Sequence, residues 1–157
     1  VSVGGGSSSG GNQGGNTSGG NTGGNTGNQG GNTSGGATNN NSMQCENMTK
    51  GGQYTGNINN PFDGVALYAN NDKVSFNQYF AYGTHDFTLR GASNGGNMAR
   101  VDLYIGGQFK GTFYYGDQYP AEYTIKNVSH GTGNQTIELI VTADNGQWDA
   151  YVDYLSW

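Results

Sequence analysis

The stretch ARVDLYIGGQFKGTFYY, residues 99–115, alternates and then turns. Val101, Leu103 and Ile105 fall on one face, while Asp102 and Tyr104 fall on the other. A period of two is the mark of a strand with one buried face. The GGQ after Ile105 reads as a tight hairpin joining VDLYI to FKGTFYY, because glycine adopts the positive φ that such turns require. The same grammar recurs on both sides. HDFTLRG places Phe87 and Leu89 on one face, and TIELIVTAD and DAYVDYLSW are rich in β-branched and aromatic residues. Turn clusters (ASNGGN, HGTGNQ, ADNGQ) separate these segments, and no window carries a helical stripe. Many short strands joined by turns at short intervals predict an all-β, antiparallel β-sandwich.

This pattern begins only at residue 43. Residues 1–42 hold no charged and no aromatic residue, and repeat Gly, Asn, Thr, Ser and Gln. Such a segment has nothing apolar to bury and predicts a disordered linker with a reach of roughly 35 Å. Residues 43–157 predict one small module with a single core. VSV at residues 1–3 reads as the tail of an upstream domain.

The chain carries a net charge of -5, with 6 Lys+Arg against 11 Asp+Glu. Nucleic acid and anionic membrane surfaces select clustered basic residues, so neither is an expected partner. Neutral polyols and cations fit this balance better. The single cysteine, Cys45, allows no internal disulfide and is expected in the core. No serine sits in a nucleophile elbow, and the histidines are only His85 and His130. Acids for a glycosidase pair are available, with glutamates at Glu46, Glu122 and Glu138. That chemistry usually needs a deep cleft in a larger fold, and alternation puts Glu138 on a strand surface, so no catalytic residue is expected.

Three constellations remain. DNGQWD, residues 144–149, places Asp144 and Asp149 across a turn, where carboxylates and intervening carbonyls can converge on calcium; an ordinary hairpin turn with Trp148 covering the core edge explains the same residues. FYYGDQYP offers Asp117 beside Tyr115. Gln44 and Glu46 on one face of a first strand, with Asp153 on the last, form a second oxygen set if those strands are neighbours; solvated strand residues are the alternative. Finally, Tyr54 and Tyr68 lie beside turns, where a ring can face solvent and meet the C–H face of a sugar.

The segments QCEN, GGQYTGN, FDGVALYANNDKVSF and TADNGQWDAYVDYLSW together resemble the calcium-dependent carbohydrate-binding modules of family 36, in the broader group with families 6, 35 and 60. The resemblance covers residues 43–157, and D-N-G-x-W-D is its most specific element. It implies a jelly-roll sandwich, and a non-catalytic module that binds xylan and xylooligosaccharides. A bound calcium would chelate the vicinal 2- and 3-hydroxyls of xylose. Asp117, Asp144, Asp149 and the Trp148 carbonyl would hold that ion. Tyr54, Tyr68, Tyr115 and the Trp148 ring would line the groove. A second, structural calcium is implied at Gln44, Glu46 and Asp153, with a carbonyl near Lys73. Gln44 stands where related modules often carry Glu. VSVGGG is similar to the last strand of a family 11 xylanase, which implies a catalytic partner upstream, a secreted protein and a monomeric module. A same-fold module for another glycan, or a calcium-stabilised structural domain, are the alternatives.

Overall fold

The computed structural model describes residues 41–157. Eleven strands run through them: β1 (Ser42–Gln44), β2 (Thr49–Gly51), β3 (Gly56–Ile58), β4 (Gly64–Leu67), β5 (Lys73–Phe80), β6 (Thr84–Ser93), β7 (Ala99–Ile105), β8 (Gln108–Tyr115), β9 (Ala121–Ser129), β10 (Gly133–Ile140) and β11 (Ala150–Ser156). They form two antiparallel sheets. The first has the order β3-β4-β11-β6-β9, with β1 also pairing to β11; the second has the order β2-β5-β10-β7-β8. Among the described residues no helix is long and apolar enough to cross a membrane. The linker expected over 1–42 lies almost wholly outside the described residues. The fold begins slightly earlier than expected: Ser42 pairs with Ser156, and Asn41 exchanges backbone hydrogen bonds with Trp157.

Alternation sets which side chains meet between the sheets. Val101, Leu103 and Ile105 are buried with Phe87, Leu89, Phe113, Ile137 and Leu139. Fully burying a side chain of this kind contributes about 1.5–3 kcal/mol each. The β7–β8 hairpin turns on Gly106 and Gly107, with φ of 60° and 78°. Both central residues therefore have the positive φ of a type I′ turn, whose twist matches the flanking strands.

Two local expectations change. The first strand ends at Gln44, and Cys45–Asn47 form a turn of 3-10 helix, so Gln44 and Glu46 do not share a strand face. Cys45 is fully buried in the core, as expected. The NG turn exists, with Asn145 and Gly146 at φ 51° and 72° and Gln147 N–H donating to the Asp144 carbonyl at 2.9 Å. It does not close a hairpin within one sheet. It carries the chain from β10 in the second sheet to β11 in the first.

Candidate functional site

β11 is the centre of the site because it is an inner strand of the first sheet, flanked by β4 and β6. Ala150 lies opposite Leu67 on one side and Ser93 on the other. One residue earlier, Asp149 therefore stands between Tyr68 and Asn94. The Asn94 side-chain amide donates to Asp149 Oδ2 at 3.3 Å, and its backbone N–H donates to the Asp149 carbonyl at 3.2 Å. Tyr54 and Tyr68 are exposed, at 57% and 39%, on the loops next to this end.

Asp144 reaches the same end through a latch between loops. Asn70 Oδ1 accepts the Asp144 N–H at 2.6 Å, and Asn71 N–H donates to the Val141 carbonyl at 2.7 Å. Asp144 Oδ1 accepts Gly146 N–H at 3.2 Å, which is the turn's own Asx bond. Asp144 Oδ2 is buried and has no hydrogen-bond partner. Burial holds the Asp149 carboxyl above the usual carboxylate range, and the charge of Asp144 pushes it further, against the Asn94 bond. Two carboxylates thus lie within electrostatic reach of each other, and one oxygen of Asp144 is unpaired. A cation is the group that relieves both costs.

A second buried oxygen is without a partner: Glu46 Oε2. β1 pairs with β11, so the turn that carries Glu46 lies against the strand of Asp153. The Cys45 thiol reports this arrangement: burial raises its pKa, and the charges of Asp153 and Glu46 raise it further. Asp153 receives a hydrogen bond from Arg90 and feels the charge of Asp63. The two orphaned oxygens thus fall one at each expected calcium position, and the oxygen-rich surroundings fit that hard cation.

Neither set is a cluster of acids. Among the described residues no three His, Cys, Asp or Glu side chains converge as a metal group. Further ligands would have to be carbonyls, amide oxygens or ligand hydroxyls, which calcium accepts.

Several expected residues take other places. The Asp117 carboxylate is turned to its own loop, where Oδ1 accepts Tyr119 N–H at 2.7 Å; only its backbone joins the site, through Ser93 N–H to the Asp117 carbonyl at 2.8 Å. Tyr115 is a core residue, 3% exposed, its hydroxyl donating to the Leu89 carbonyl. The Trp148 indole is also part of the core, 6% exposed, so its ring does not line a groove, while its carbonyl lies in the right segment. The Lys73 side chain belongs to the second sheet, paired with Glu138 at 3.0 Å. The expectation at Lys73 concerned a backbone carbonyl, which its side-chain pairing leaves open; Asp63 is a further acid near Asp153.

Two residues were missed. Asp72 is fully buried, and its carboxylate accepts four backbone N–H groups: Gln53 and Tyr54 at Oδ1, Tyr68 and Ala69 at Oδ2, at 2.8–3.1 Å. One side chain thus fixes both tyrosine-bearing loops. Gly52 beside it has φ 94°, and a Cβ there would collide with Asp72. The other is Tyr151, two residues beyond Asp149 on the same strand face. The turn residues of ANND, closed by Asp72 N–H donating to the Ala69 carbonyl, were a readable hint for Asp72, and simple alternation from Asp149 would have found Tyr151.

No family model matches the chain. Among solved structures, the CBM36-1 domain of a multidomain xylanase from the hindgut metagenome of Trinervitermes trinervoides superposes with TM-score 0.73 and 81% identity, over 73% of this chain and 93% of that one. The chain belongs to carbohydrate-binding module family 36. A second CBM36 structure, in complex with calcium and xylotriose, matches with TM-score 0.72 and 51% identity, over 73% of this chain and 96% of that one. The bifunctional xylanase/deacetylase of Pseudobutyrivibrio xylanivorans is 70% identical over 156 residues, which is 99% of this chain. The chain spans about a quarter of that relative's length, 25%. As a CBM36 module it is a non-catalytic unit.

Proposed function

We propose that this CBM36 module binds xylan and xylooligosaccharides through a calcium ion at Asp144 and Asp149, and so holds an attached xylanase on its polymer. The observation that carries the reading is the buried, partnerless Asp144 Oδ2 beside the Asp149 carboxylate. The Trp148 carbonyl would add a ligand from the same turn. When bound, calcium supplies open coordination positions that adjacent sugar hydroxyls can chelate. The protein's own contribution is to fix the two carboxylates in advance, through Asn70, Asn94 and the Asp144 turn. Tyr54 and Tyr68, held by Asp72, offer ring faces to the sugar at its edge. A neutral, hydrated polysaccharide gains little net energy from ordinary hydrogen bonds. Chelation by a pre-formed site overcomes that limit and selects for adjacent hydroxyls in the right torsion.

A second calcium at Glu46, Asp153 and Gln44 would be structural, joining the chain's first turn to its last strand. Its support is the partnerless Glu46 Oε2. A secreted parent protein, a tether over 1–42, a catalytic domain upstream and a monomeric module complete the proposal. Tethering raises the enzyme's effective concentration on insoluble substrate. Affinity electrophoresis through gels of xylan, galactan and soluble cellulose derivatives tests it. Retardation is expected in xylan with calcium and not with EDTA. Retardation that persists unchanged in EDTA would overturn the chelation reading, and retardation only in another glycan would overturn the ligand.

A further inference from the structure

On β11 the side chains alternate strictly before the bulge. Trp148, Ala150 and Val152 belong to the core between the sheets, so Asp149 and Tyr151 lie on the outer face of the first sheet. Tyr151 pairs with Ala66 of β4 on one side and Ala92 of β6 on the other. Both alanines are fully buried, yet neither belongs to the core between the sheets. What covers them is therefore on the outer face, and Tyr151 is the side chain that stands between them. The residues directly opposite it on both flanks are therefore short. Tyr151 is itself only half-buried. Its hydroxyl makes no hydrogen bond to the described protein.

The next row on this face is Tyr68, Asp149 and Asn94. The register brings two of these beside Tyr151: it lies opposite Ala66, and Tyr68 and Asp149 each stand two residues away along their own chain on the same face. Tyr68 and Tyr151 thus make one aromatic corner with the Asp149 carboxylate at its edge. Trp148 and Tyr115 cannot serve there, because both rings are spent in the core.

We propose that Tyr151 is a sugar-binding platform of this site, its ring packing against the C–H face of the xylose unit next to the one chelated at Asp144 and Asp149. This rests on the calcium-dependent reading of the site given above. Its consequence is selective: the ring acts on the sugar and not on the ion.

The test uses the whole chain with Tyr151→Leu, which still covers Ala66 and Ala92, and Tyr151→Phe, which keeps the ring. Calcium affinity is measured first by calorimetry without sugar, then xylotriose is titrated in saturating calcium. Tyr151→Leu should weaken xylotriose about tenfold while calcium affinity stays within about twofold, and Tyr151→Phe should lose no more than about threefold. Xylotriose affinity within about twofold of the unsubstituted protein in Tyr151→Leu overturns the proposal. So does a parallel loss of calcium affinity, which would make Tyr151 a support for Asp149. In the unsubstituted protein, the Tyr151 ring proton resonances should shift on adding xylotriose; their indifference also overturns it, without any substitution. The Asp149→Asn variant separates the two readings. If it binds xylotriose normally, chelation at Asp149 fails, whatever Tyr151 does.

Discussion

Glu46→Gln should change the sign of its effect with the metal. Glu46 Oε2 is buried without a partner, next to a strand that brings Asp153 near. In chelator, an unpaired buried polar oxygen costs about 1–3 kcal/mol, and more when charged. Glutamine keeps the shape and removes the charge, so leaving that oxygen buried without a partner costs less. The variant should therefore be as stable as the unsubstituted protein in EDTA, or up to about 1 kcal/mol more stable. In calcium the order reverses. An ion at a hundred times its dissociation constant stabilises the folded state by about 2.7 kcal/mol, and the variant forfeits most of that. For a domain of this size about 4 °C accompanies each kcal/mol, so the unsubstituted protein should melt roughly 10 °C higher with calcium, and the variant should gain far less. Thermal melts in EDTA and in millimolar calcium read both numbers. A variant that is less stable in EDTA and gains as much from calcium would refute the reasoning, since Glu46 would then be an ordinary structural carboxylate.

Asp149→Ala should abolish calcium-dependent retardation in xylan gels, while stability in chelator changes by about 1 kcal/mol or less, because the side chain makes one long hydrogen bond and is repelled by Asp144. Asp72→Asn replaces a carboxylate that accepts four amide N–H groups with a side chain bearing one acceptor oxygen; urea melts should show a loss of about 2 kcal/mol or more, and xylotriose titration a weaker site as the Tyr54 and Tyr68 loops loosen. His85 and His130 pair at the other end of β6, with His130 Nδ1–H donating to the Gly131 carbonyl and His85 Nδ1–H to His130 Nε2 at 2.8 Å. Burial, then the His130 neighbour, lowers the His85 pKa below 6.5, so the unfolded chain takes up that proton first as pH falls. Stability should decline from pH 6.5 downward toward the folded value, and His85→Gln should flatten that decline in urea melts.

Much of the fold was legible because its signals are local. The alternation of Val101, Leu103 and Ile105 and the double glycine after them define one hairpin without reference to the rest of the chain. Asn145-Gly146 likewise declared its turn, but its partners did not: which sheet each arm joins depends on long-range pairing. The candidate site was legible as a set of acids and less so as a geometry. Asp144 and Asp149 come together because one loop latches to another through Asn70, which no spacing announces. The Trp148 ring was expected beside the sugar from the family resemblance; the alternation from Asp149 to Ala150 turns it inward. Asp72 escaped notice because a buried carboxylate serving four amides is defined entirely by its neighbours.

The most direct measurement is a crystal structure of the module grown with calcium and xylotriose, with the ion identified by its anomalous signal. The account predicts one calcium between the Asp144 and Asp149 carboxylates, with two adjacent sugar hydroxyls among its ligands at about 2.3–2.6 Å. A xylotriose bound with no ion at Asp144 and Asp149, or an ion there that no sugar oxygen reaches, would contradict it.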